Sequence, residues 1–460
     1  MKRLLQQSAR FVMQWEWLWL LLLLPFLLFP NGPQAWLLLL VPLLWLLRWL
    51  ASATFVPVTP YNGAITLLML MVLVSLYATF DIELSMPKIA GMVLGVALFY
   101  GAIAYGRSHQ QGLWHLTTAV LLAGVGMSIV GLVGTPWRGP FAFLNQVRQA
   151  LPLDITIPGT VSGAINPNEM AGVLNWLLPL AVALLVGAVG RLRRQPKLAL
   201  PLILVLGSLA AVWGIMLLAT YSRGGTAAFV ISLLVMMAIA SRGGRLLLVT
   251  AVILTAALAY QYNLLQLLLG DSAEIAGQIG LNGRIEIWSR ALYGLQDFPF
   301  TGMSMNGFRQ VVHILYPLFL ISPTTDLGHA HNHLLQAGLD LGLPGLIAYL
   351  ALWFISATLL WSAWRQAQAH SFENRTEDEG PKTEGRYPSS GVGHPSFKPD
   401  GHPMYGYKLL IIGLTGSLTA GWFFGILDAI ALGARPGFLW WLLLALVVLV
   451  HESVNVESEQ

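Results

Sequence analysis

The chain of 460 residues contains no cysteine, and only 10% of its residues are charged. The absence of cysteine excludes disulfide bonds, thiolate metal sites and a cysteine nucleophile. The scarcity of charge excludes an ordinary soluble domain, in which about a quarter of the residues are charged. A net charge of only +4 gives no indication of a nucleic-acid partner.

Long hydrophobic runs are abundant instead, and the mean hydropathy is +0.68. A helix needs about 20 apolar residues to cross ~30 Å of hydrocarbon. About twelve runs reach or approach this length, so the sequence predicts an all-α polytopic membrane protein embedded in a lipid bilayer. The expected spans are 16–30, 34–50, 62–79, 88–106, 112–133, 169–190, 198–220, 225–240, 245–264, 332–363, 408–430 and 436–451. The run at 332–363 exceeds one straight span, so part of it should be tilted or extramembrane.

Long connections divide these spans into segments. The amino-terminal run MKRLLQQSAR is basic and lacks a cleavage site, which predicts an uncleaved first span rather than a signal peptide. The linker at 364–407 is rich in proline, glycine and charge, which predicts disorder. Residues 1–264 are expected to hold nine transmembrane helices and an external loop at 134–168. A large external loop at 265–331 and a tenth helix at 332–363 should follow. The cytoplasmic linker would be 364–407, and 408–460 would hold two further helices and a cytoplasmic tail.

The distribution of lysine and arginine predicts the orientation. If the amino terminus lies inside, 17 of the 25 basic residues fall on inner segments and 8 on outer segments. Because cytoplasmic loops carry the excess of basic residues, both termini should be cytoplasmic.

The large external loop contains a predicted amphipathic helix in GRIEIWSRALYGLQDF. Its apolar residues Ile285, Trp288, Leu292 and Leu295 recur at helical spacing. This helix should lie at the membrane surface or cover a cavity.

Three arginines of this loop are candidates for binding. Arg284 opens the helix, where a cation opposes the macrodipole by roughly 0.3–1 kcal/mol. Such a local mismatch can mark a functional site, although a solvated arginine is the alternative. Arg290 and Arg309 are weaker candidates on spacing alone.

The tetrapeptide SRGG occurs twice, at residues 222–225 and again at 241–244. The second copy falls on the inner side, where the charge rule explains Arg242. The first copy falls on the outer side, where the rule does not explain Arg223. Arginine suits bidentate phosphate binding, and Gly224 and Gly225 would allow a close approach. Arg223 therefore either binds phosphate or anchors a helix end.

Three histidines follow the loop in HAHNH, at positions 329, 331 and 333. Three interpretations remain open at this point: a metal site, an interfacial role, and proton transfer or ligand orientation. Asp81 and Glu83 form an external D-x-E that could hold a divalent metal, but a solvated turn is the simpler interpretation.

These motifs together resemble the O-antigen ligase and polymerase superfamily of bacterial envelope glycosyltransferases. The resemblance covers about 159–350, and the matching residues are His331, Asn332, Gly342 and Gly345, then Arg284, Trp288, Pro299, Gly302 and Phe308, then Ser222, Arg223 and Gly224, and finally Asn166, Pro167 and Asn168. Ser304 departs from the pattern, because the family often has glycine there.

The resemblance implies an all-helical glycosyltransferase of the C class in the bacterial inner membrane, with its active site facing the periplasm. It implies an inverting, metal-independent reaction without a cofactor. The donor would be a glycan on undecaprenyl diphosphate. The acceptor would be lipid A–core in a ligase, a growing glycan in a polymerase, or a protein side chain in an oligosaccharyltransferase.

The resemblance also assigns roles to single residues. Arg223 and Arg284 would neutralise the departing diphosphate, and His331 would orient or deprotonate the acceptor hydroxyl. The expected substrate-binding residues are Asn332, Ser222, Gly224, Asn168, Trp288 and Arg290. A transporter or a scaffold is a less favoured alternative, because the sequence shows no clear internal repeat and the candidate residues lie at span ends on one side.

Overall fold

The computed structural model describes residues 2–14, 16, 19–20, 22–23, 32–137, 139–146, 164–261, 274–275, 278–378, 403–430 and 432–459. Within these residues the protein is helical apart from one small hairpin. The α-helices are α1 (Lys2–Gln14), α2 (Leu40–Ser52), α3 (Asn62–Ala78), α4 (Ile82–Ser108), α5 (Gly112–Gly134), α6 (Pro167–Arg191), α7 (Pro196–Ala219), α8 (Arg223–Ala240), α9 (Arg242–Gln261), α10 (Leu281–Asp297), α11 (Gly307–Leu315), α12 (His333–Asp378), α13 (Pro403–Leu427) and α14 (Gly437–Glu459).

Shorter elements complete the described chain. Two 3-10 segments span Gly32–Leu39 and Gly139–Phe141. Strands β1 (Glu274–Ile275) and β2 (Gln278–Ile279) pair antiparallel just before α10.

The predicted fold class is confirmed: the protein is an all-α polytopic membrane protein. Nine of the described helices are long and apolar enough to cross a membrane, and they coincide with the fourth to twelfth expected spans. The second and third expected spans correspond to the shorter apolar helices Trp36–Ser52 and Asn62–Ala78. The first, at 16–30, falls largely outside the described residues.

The centre of the bundle is formed by α4, α6, α13 and α14. Helix α6 packs against α13, and α4 packs against α14, while α3 and α12 form a further pair. The side chains of Trp213 and Trp441 are fully buried in this core. Helices α8 and α9 lie at the periphery, where apolar side chains such as Leu254 and Val252 remain exposed, as lipid-facing residues should.

Helix α12 is broken at Gly342, which adopts a left-handed φ of 68°. The break divides α12 into a shorter first half before Gly342 and a longer second half after it, so the apolar run at 332–363 is not one straight span. A neighbouring loop satisfies the backbone groups near the break: the Met303 amide donates to the Leu339 carbonyl (2.6 Å), and the Leu343 amide donates to the Pro299 carbonyl (2.7 Å). Irregular backbone at a membrane helix requires such partners.

Two glycines make this contact possible. A Cβ on Gly302 would lie 2.6 Å from the Gly342 nitrogen, and one on Gly342 would lie 2.4 Å from the Phe300 carbonyl oxygen. The two glycine-containing motifs therefore fit against each other. Ser304 also has a positive φ, of 68°, a conformation that glycine adopts with less strain.

Both ends of the polar linker 364–407 are helical, since α12 continues to Asp378 and α13 begins at Pro403. The expected disorder of the linker stays a prediction. Residues 379–402 lie outside the described residues.

Helix α10 confirms the predicted helix of the external loop, but its buried face is a different one. The residues Ile285 and Leu292 are 41% and 51% exposed. The buried row instead runs through Ile287, Ala291 and Gly294. Small residues in this row allow α10 to pack closely against α11 and the first half of α12, so α10 covers that end of the bundle.

Candidate active site at one end of the helix bundle

The turn before α12 holds His331 in an unusual conformation. Its φ is 48°, in the left-handed region that non-glycine residues seldom adopt. The His331 amide donates to Nδ1 of His329 (3.1 Å). Its carbonyl accepts from Nε1 of Trp288 (3.4 Å). The Trp288 side chain thus supports His331 through the His331 backbone. Trp288, which was expected to bind substrate, therefore has a structural contact here.

Asn332 caps the helix that follows. Its Oδ1 accepts from the amides of Leu334 (2.9 Å) and Leu335 (3.0 Å). Its Nδ2 donates to the carbonyl of Ile426 (3.1 Å), near the end of α13. Asn332 therefore fastens the start of α12 to the end of α13. This contact brings the residue after α13 beside His331.

That residue is Asp428, whose Oδ1 lies 3.1 Å from Nδ1 of His331. A carboxylate only accepts, so Nδ1 of His331 carries the proton and Nε2 remains the nitrogen that can take up another. Burial alone would raise the pKa of Asp428, but His331, His329 and Arg284 outweigh it and hold that pKa below its usual range. The aspartate therefore stays ionised and orients the imidazole, as in a histidine–aspartate catalytic pair.

Arg284, at the start of α10, lies on the other oxygen of the same aspartate. Its Nη2 is 3.5 Å from Oδ2 of Asp428. The arginine side chain is only 18% exposed. Its Nε is buried and has no hydrogen-bond partner among the described residues. An arginine with an unused, desolvated N–H is prepared to bind an anion.

His329 belongs to the same cluster but differs from His331. Its Nε2 lies 3.6 Å from Oδ1 of Asp428, too long for a hydrogen bond. Burial, the positive charges nearby and His331 lower the pKa of His329 to about 3. It is therefore neutral near pH 7, and its Nδ1 accepts from the His331 amide. The expectation that only His331 of the three histidines reacts stays a prediction.

His333 is a core residue. It is 5% exposed, and its Nδ1 lies 2.9 Å from the hydroxyl of Tyr349. Trp353 and Trp422 pack edge-on against its ring, at centroid distances of 5.8 and 5.0 Å. A metal site built from all three histidines is therefore wrong, because His333 points into an aromatic cluster.

A different set of three groups does lie within metal-binding distance. The ligand atoms of His329, His331 and Asp428 are all within 4.8 Å of one another. Two imidazoles and a carboxylate can hold a transition metal. The same atoms, however, already form the hydrogen-bonded pair described above, and Arg284 neutralises the second carboxylate oxygen. The expectation of a metal-independent site stays a prediction.

The first SRGG turn lies at the same end of the bundle. Ser222 caps α8 by accepting from the Gly225 amide (3.2 Å). A Cβ on Gly224 would lie 3.6 Å from the Leu427 side chain, so this turn is adjacent to the residue before Asp428. Arg223 is the first residue of α8 and its side chain is exposed.

One comparison with known proteins covers part of the region that contains this site. Residues 206–350 match the O-antigen ligase family, which is about a third of the chain. The resemblance to the O-antigen ligase and polymerase superfamily is thereby confirmed. We refer to residues 206–350, which match this family, as the O-antigen ligase domain. No curated protein matches the chain.

The O-antigen ligase domain contains the three predicted catalytic residues, but not the aspartate that pairs with His331. Arg223, Arg284 and His331 fall within 206–350, whereas Asp428 lies far beyond it. Asp428 was not among the residues that sequence reasoning singled out. A signal was present, since it is the sole acidic residue between Met404 and His451 and falls within the expected span 408–430, and an ionisable residue inside a membrane span is a functional-site candidate.

Asn168 also lies outside the O-antigen ligase domain, in the first turn of α6. Its amide donates to Oδ1 of Asn166 (2.9 Å), which caps the helix. The adjacent Glu169 interacts electrostatically with Asp428 and Arg435. Asn166 of the Asn-Pro-Asn motif is thus the N-terminal cap of α6. This turn lies at the same end of the bundle as His331.

Arg290 has structural partners instead. Its Nε donates to the carbonyl of Pro317 (2.9 Å), and its guanidinium lies over the ring of Phe319 at 5.5 Å. Glu286, one turn earlier, accepts from the amides of Phe319 (2.6 Å) and Leu320 (2.9 Å). These contacts hold the segment after α11 on α10. A substrate-binding role for Arg290 stays a prediction.

The external D-x-E is a helix start. Asp81 accepts from the Leu84 amide (3.1 Å) and caps α4, while Glu83 is exposed. This arrangement favours the interpretation of a solvated turn.

Proposed function

We propose that the protein is an O-antigen-ligase-type glycosyltransferase of the bacterial inner membrane. It transfers a glycan from undecaprenyl diphosphate to a hydroxyl of lipid A–core, at the outer face of the membrane. The observation that carries the proposal is the His331–Asp428 pair beside the buried, incompletely bonded Arg284. His331 is the proton acceptor of this arrangement, and Arg284 is the cation that can bind an anion.

The donor side of the reaction requires positive charge. A lipid diphosphate leaves as an anion, so it needs neutralisation more than protonation. Arg284 supplies an unused N–H in a desolvated position. Arg223 supplies a second guanidinium at the amino terminus of α8, where the helix dipole also favours an anion. The two arginines approach from different helices, which allows them to hold both phosphates.

The acceptor side requires a base. The acceptor oxygen attacks C1 of the donor glycan from the face opposite the diphosphate, and the bond between C1 and the diphosphate oxygen breaks. Nε2 of His331 takes the hydroxyl proton, and Asp428 stabilises the imidazolium that forms. The configuration at C1 is inverted by this single displacement.

An apolar groove between α8, α12 and α13 suits the polyprenyl tail of the donor. Its volume is ≈ 380 Å³, and its lining residue nearest to Asp428 is Phe423, five residues or about 7.5 Å along the chain at a helical rise. Its lining is almost wholly apolar and includes Ile239, Trp353, Phe354, Leu360, Trp361 and Leu418. A tail in this groove would place the diphosphate near the arginines.

The same chemistry serves a polysaccharide polymerase or a protein oligosaccharyltransferase, which differ in the acceptor. A transporter accounts less well for the site, because His331, Asp428 and Arg284 lie together at helix ends, whereas transporters place such groups near the membrane midplane.

The test is transfer by the purified protein in lipid nanodiscs. An undecaprenyl-diphosphate glycan is offered with lipid A–core, with a second copy of the glycan, or with a peptide. We expect product with lipid A–core, with inverted configuration at the new linkage by NMR. A donor with a short prenyl chain should show a lower kcat/KM. Product with only the glycan or the peptide would move the function to the alternatives, and no product with any acceptor would contradict it.

A further inference from the structure

A fully buried carboxylate lies beneath the site and has no part in the reaction described above. Asp340 is in the first half of α12, and its exposure is 0%. Lys88 of α4 pairs with it, with Nζ 3.2 Å from Oδ2 and 3.3 Å from Oδ1. The Asn306 amide donates to Oδ1 as well (3.0 Å). Asp340 thus joins α4, the loop before α11 and α12, and its charge is neutralised.

Gln336 connects this ion pair to the catalytic turn. It lies one helical turn before Asp340 and is 1% exposed. Its Nε2 donates to Oδ1 of Asp340 (2.9 Å). Its Oε1 accepts from the amide of Ala330 (2.7 Å), the residue that precedes His331. Both ends of the Gln336 amide are therefore used, and the orientation of the amide group is fixed by Asp340.

The turn that Gln336 holds is strained. His331 has a φ of 48°, and a non-glycine residue keeps such a conformation only when its surroundings impose it. Three hydrogen bonds restrain the turn. Gln336 of α12 accepts from the Ala330 amide, His329 of the turn itself accepts from the His331 amide, and Trp288 of α10 donates to the His331 carbonyl. Without Gln336, one of these restraints is lost and the imidazole can leave Asp428.

We propose that Gln336 is a positioning residue for His331, and that the Lys88–Asp340 pair in turn fixes Gln336. The proposal rests on the proposed function for its effect on transfer. Because Gln336 contacts neither arginine, its loss should lower kcat and leave donor binding unchanged. A displacement of about 1 Å at a reacting group can cost about 100-fold in rate.

The experiment compares Gln336→Met with Gln366→Met. Both substitutions are in α12 and keep the side-chain length, but Oε1 of Gln366 has no hydrogen-bond partner among the described residues. Gln336→Met should lower kcat about 10- to 100-fold with unchanged KM for the donor, while the thermal unfolding midpoint should fall only modestly, because the Ala330 amide loses its acceptor. Gln366→Met should transfer like the wild type. Equal kcat for the two variants, or parallel losses of donor binding and stability, would overturn the proposal.

A second readout does not depend on transfer. Diethyl pyrocarbonate modifies unprotonated imidazole nitrogens, and peptide mass spectrometry gives its rate at His331 relative to His313, whose Nε2 contacts the Thr325 carbonyl. Gln336→Met should change the rate at His331 several-fold and leave His313 unchanged, and unchanged rates at both would contradict the positioning role. If the wild type transfers no glycan, the proposed function fails while this readout still tests Gln336.

The contribution of the ion pair is tested by neutralising it. Lys88→Met leaves a buried carboxylate without its cation, so kcat should fall. The double variant Lys88→Met, Asp340→Asn removes both charges and keeps an oxygen that can accept from Gln336. It should recover kcat relative to Lys88→Met alone. A double variant no better than the single one would overturn the assignment to Lys88 and Asp340.

Discussion

Asp428 and His331 are 97 residues apart in the sequence, yet their side chains meet at 3.1 Å through Oδ1 and Nδ1. The contact joins the end of α13 to the turn before α12, and Asn332 reinforces the junction. It assigns the proton on His331 to Nδ1 and leaves Nε2 as the nitrogen that can take up another proton. A histidine from the O-antigen ligase domain thus depends on an aspartate outside it.

The first prediction concerns this aspartate. Asp428→Asn keeps the shape of the side chain but allows the wrong histidine tautomer, so transfer should fall about 10²- to 10⁴-fold. Asp326→Asn is the matched control, since Asp326 pairs with Arg309 at the surface, where an ion pair contributes about 0–1 kcal/mol. Initial rates of purified variants give the comparison. Similar rates for both asparagine variants would contradict the role of Asp428.

The second prediction uses the duplicated SRGG. Both copies cap a helix in the same way, through Ser222 to Gly225 (3.2 Å) and Ser241 to Gly244 (2.9 Å). Arg223→Ala should nearly abolish transfer, a loss of ~2–4 kcal/mol in transition-state stabilisation by analogy with an oxyanion donor. Arg242→Ala, at the opposite end of α8, should largely preserve it.

Lysine at position 223 should restore little activity, because a point charge lacks the bidentate geometry of arginine. Rates of the three variants at saturating acceptor provide the measurement. If Arg223→Ala and Arg242→Ala transfer equally well, Arg223 is an anchor rather than a phosphate ligand.

How much of this site could be predicted from the sequence depends on the range of each interaction. The helices follow from apolar runs, and Arg223, Arg284 and His331 stand out in short motifs. The break at Gly342 and its contact with Gly302 could not be derived from periodicity, because they depend on two distant segments packing together. Asp428 stands out in the sequence only as an isolated acidic residue, and its contact with His331 likewise depends on distant segments packing together.

The buried face of α10 shows a second limit. Ile285 and Leu292 are apolar and correctly spaced, yet they are exposed. A row with Ala291 and Gly294 is buried instead, because small residues permit close packing between helices. Hydrophobic spacing alone does not distinguish these two faces.

The third prediction concerns metal. Transfer should continue after exhaustive chelation with EDTA, because Arg284 and the ionised Asp428 already give the cluster balanced charges. The assay compares chelated and untreated enzyme, with and without added divalent ions. Loss of transfer that a divalent ion restores would instead indicate a metal centre at His329, His331 and Asp428.

The fourth prediction concerns orientation, for which the cysteine-free chain gives a clean background. Thr324→Cys, in the large loop, should react with an impermeant thiol reagent added to intact spheroplasts. Ser108→Cys, at the opposite end of α4, should react only after the membrane is opened. Both side chains are exposed. The reverse labelling pattern would place the catalytic end of the bundle in the cytoplasm.

The most direct test of the account is transfer by three alanine variants, His329→Ala, His331→Ala and His333→Ala, measured together with donor binding. His331→Ala should lose about 10²- to 10⁴-fold in rate and still bind the undecaprenyl-diphosphate donor, because Arg223 and Arg284 remain. The other two should lose far less than His331→Ala, because His329→Ala removes only one hydrogen bond to the His331 amide and His333→Ala alters only the aromatic core. His329 should add nothing to the pH profile between pH 5 and 8, because burial lowers its pKa to about 3. Equal losses from all three variants, or loss of donor binding in His331→Ala, would contradict acceptor activation by His331.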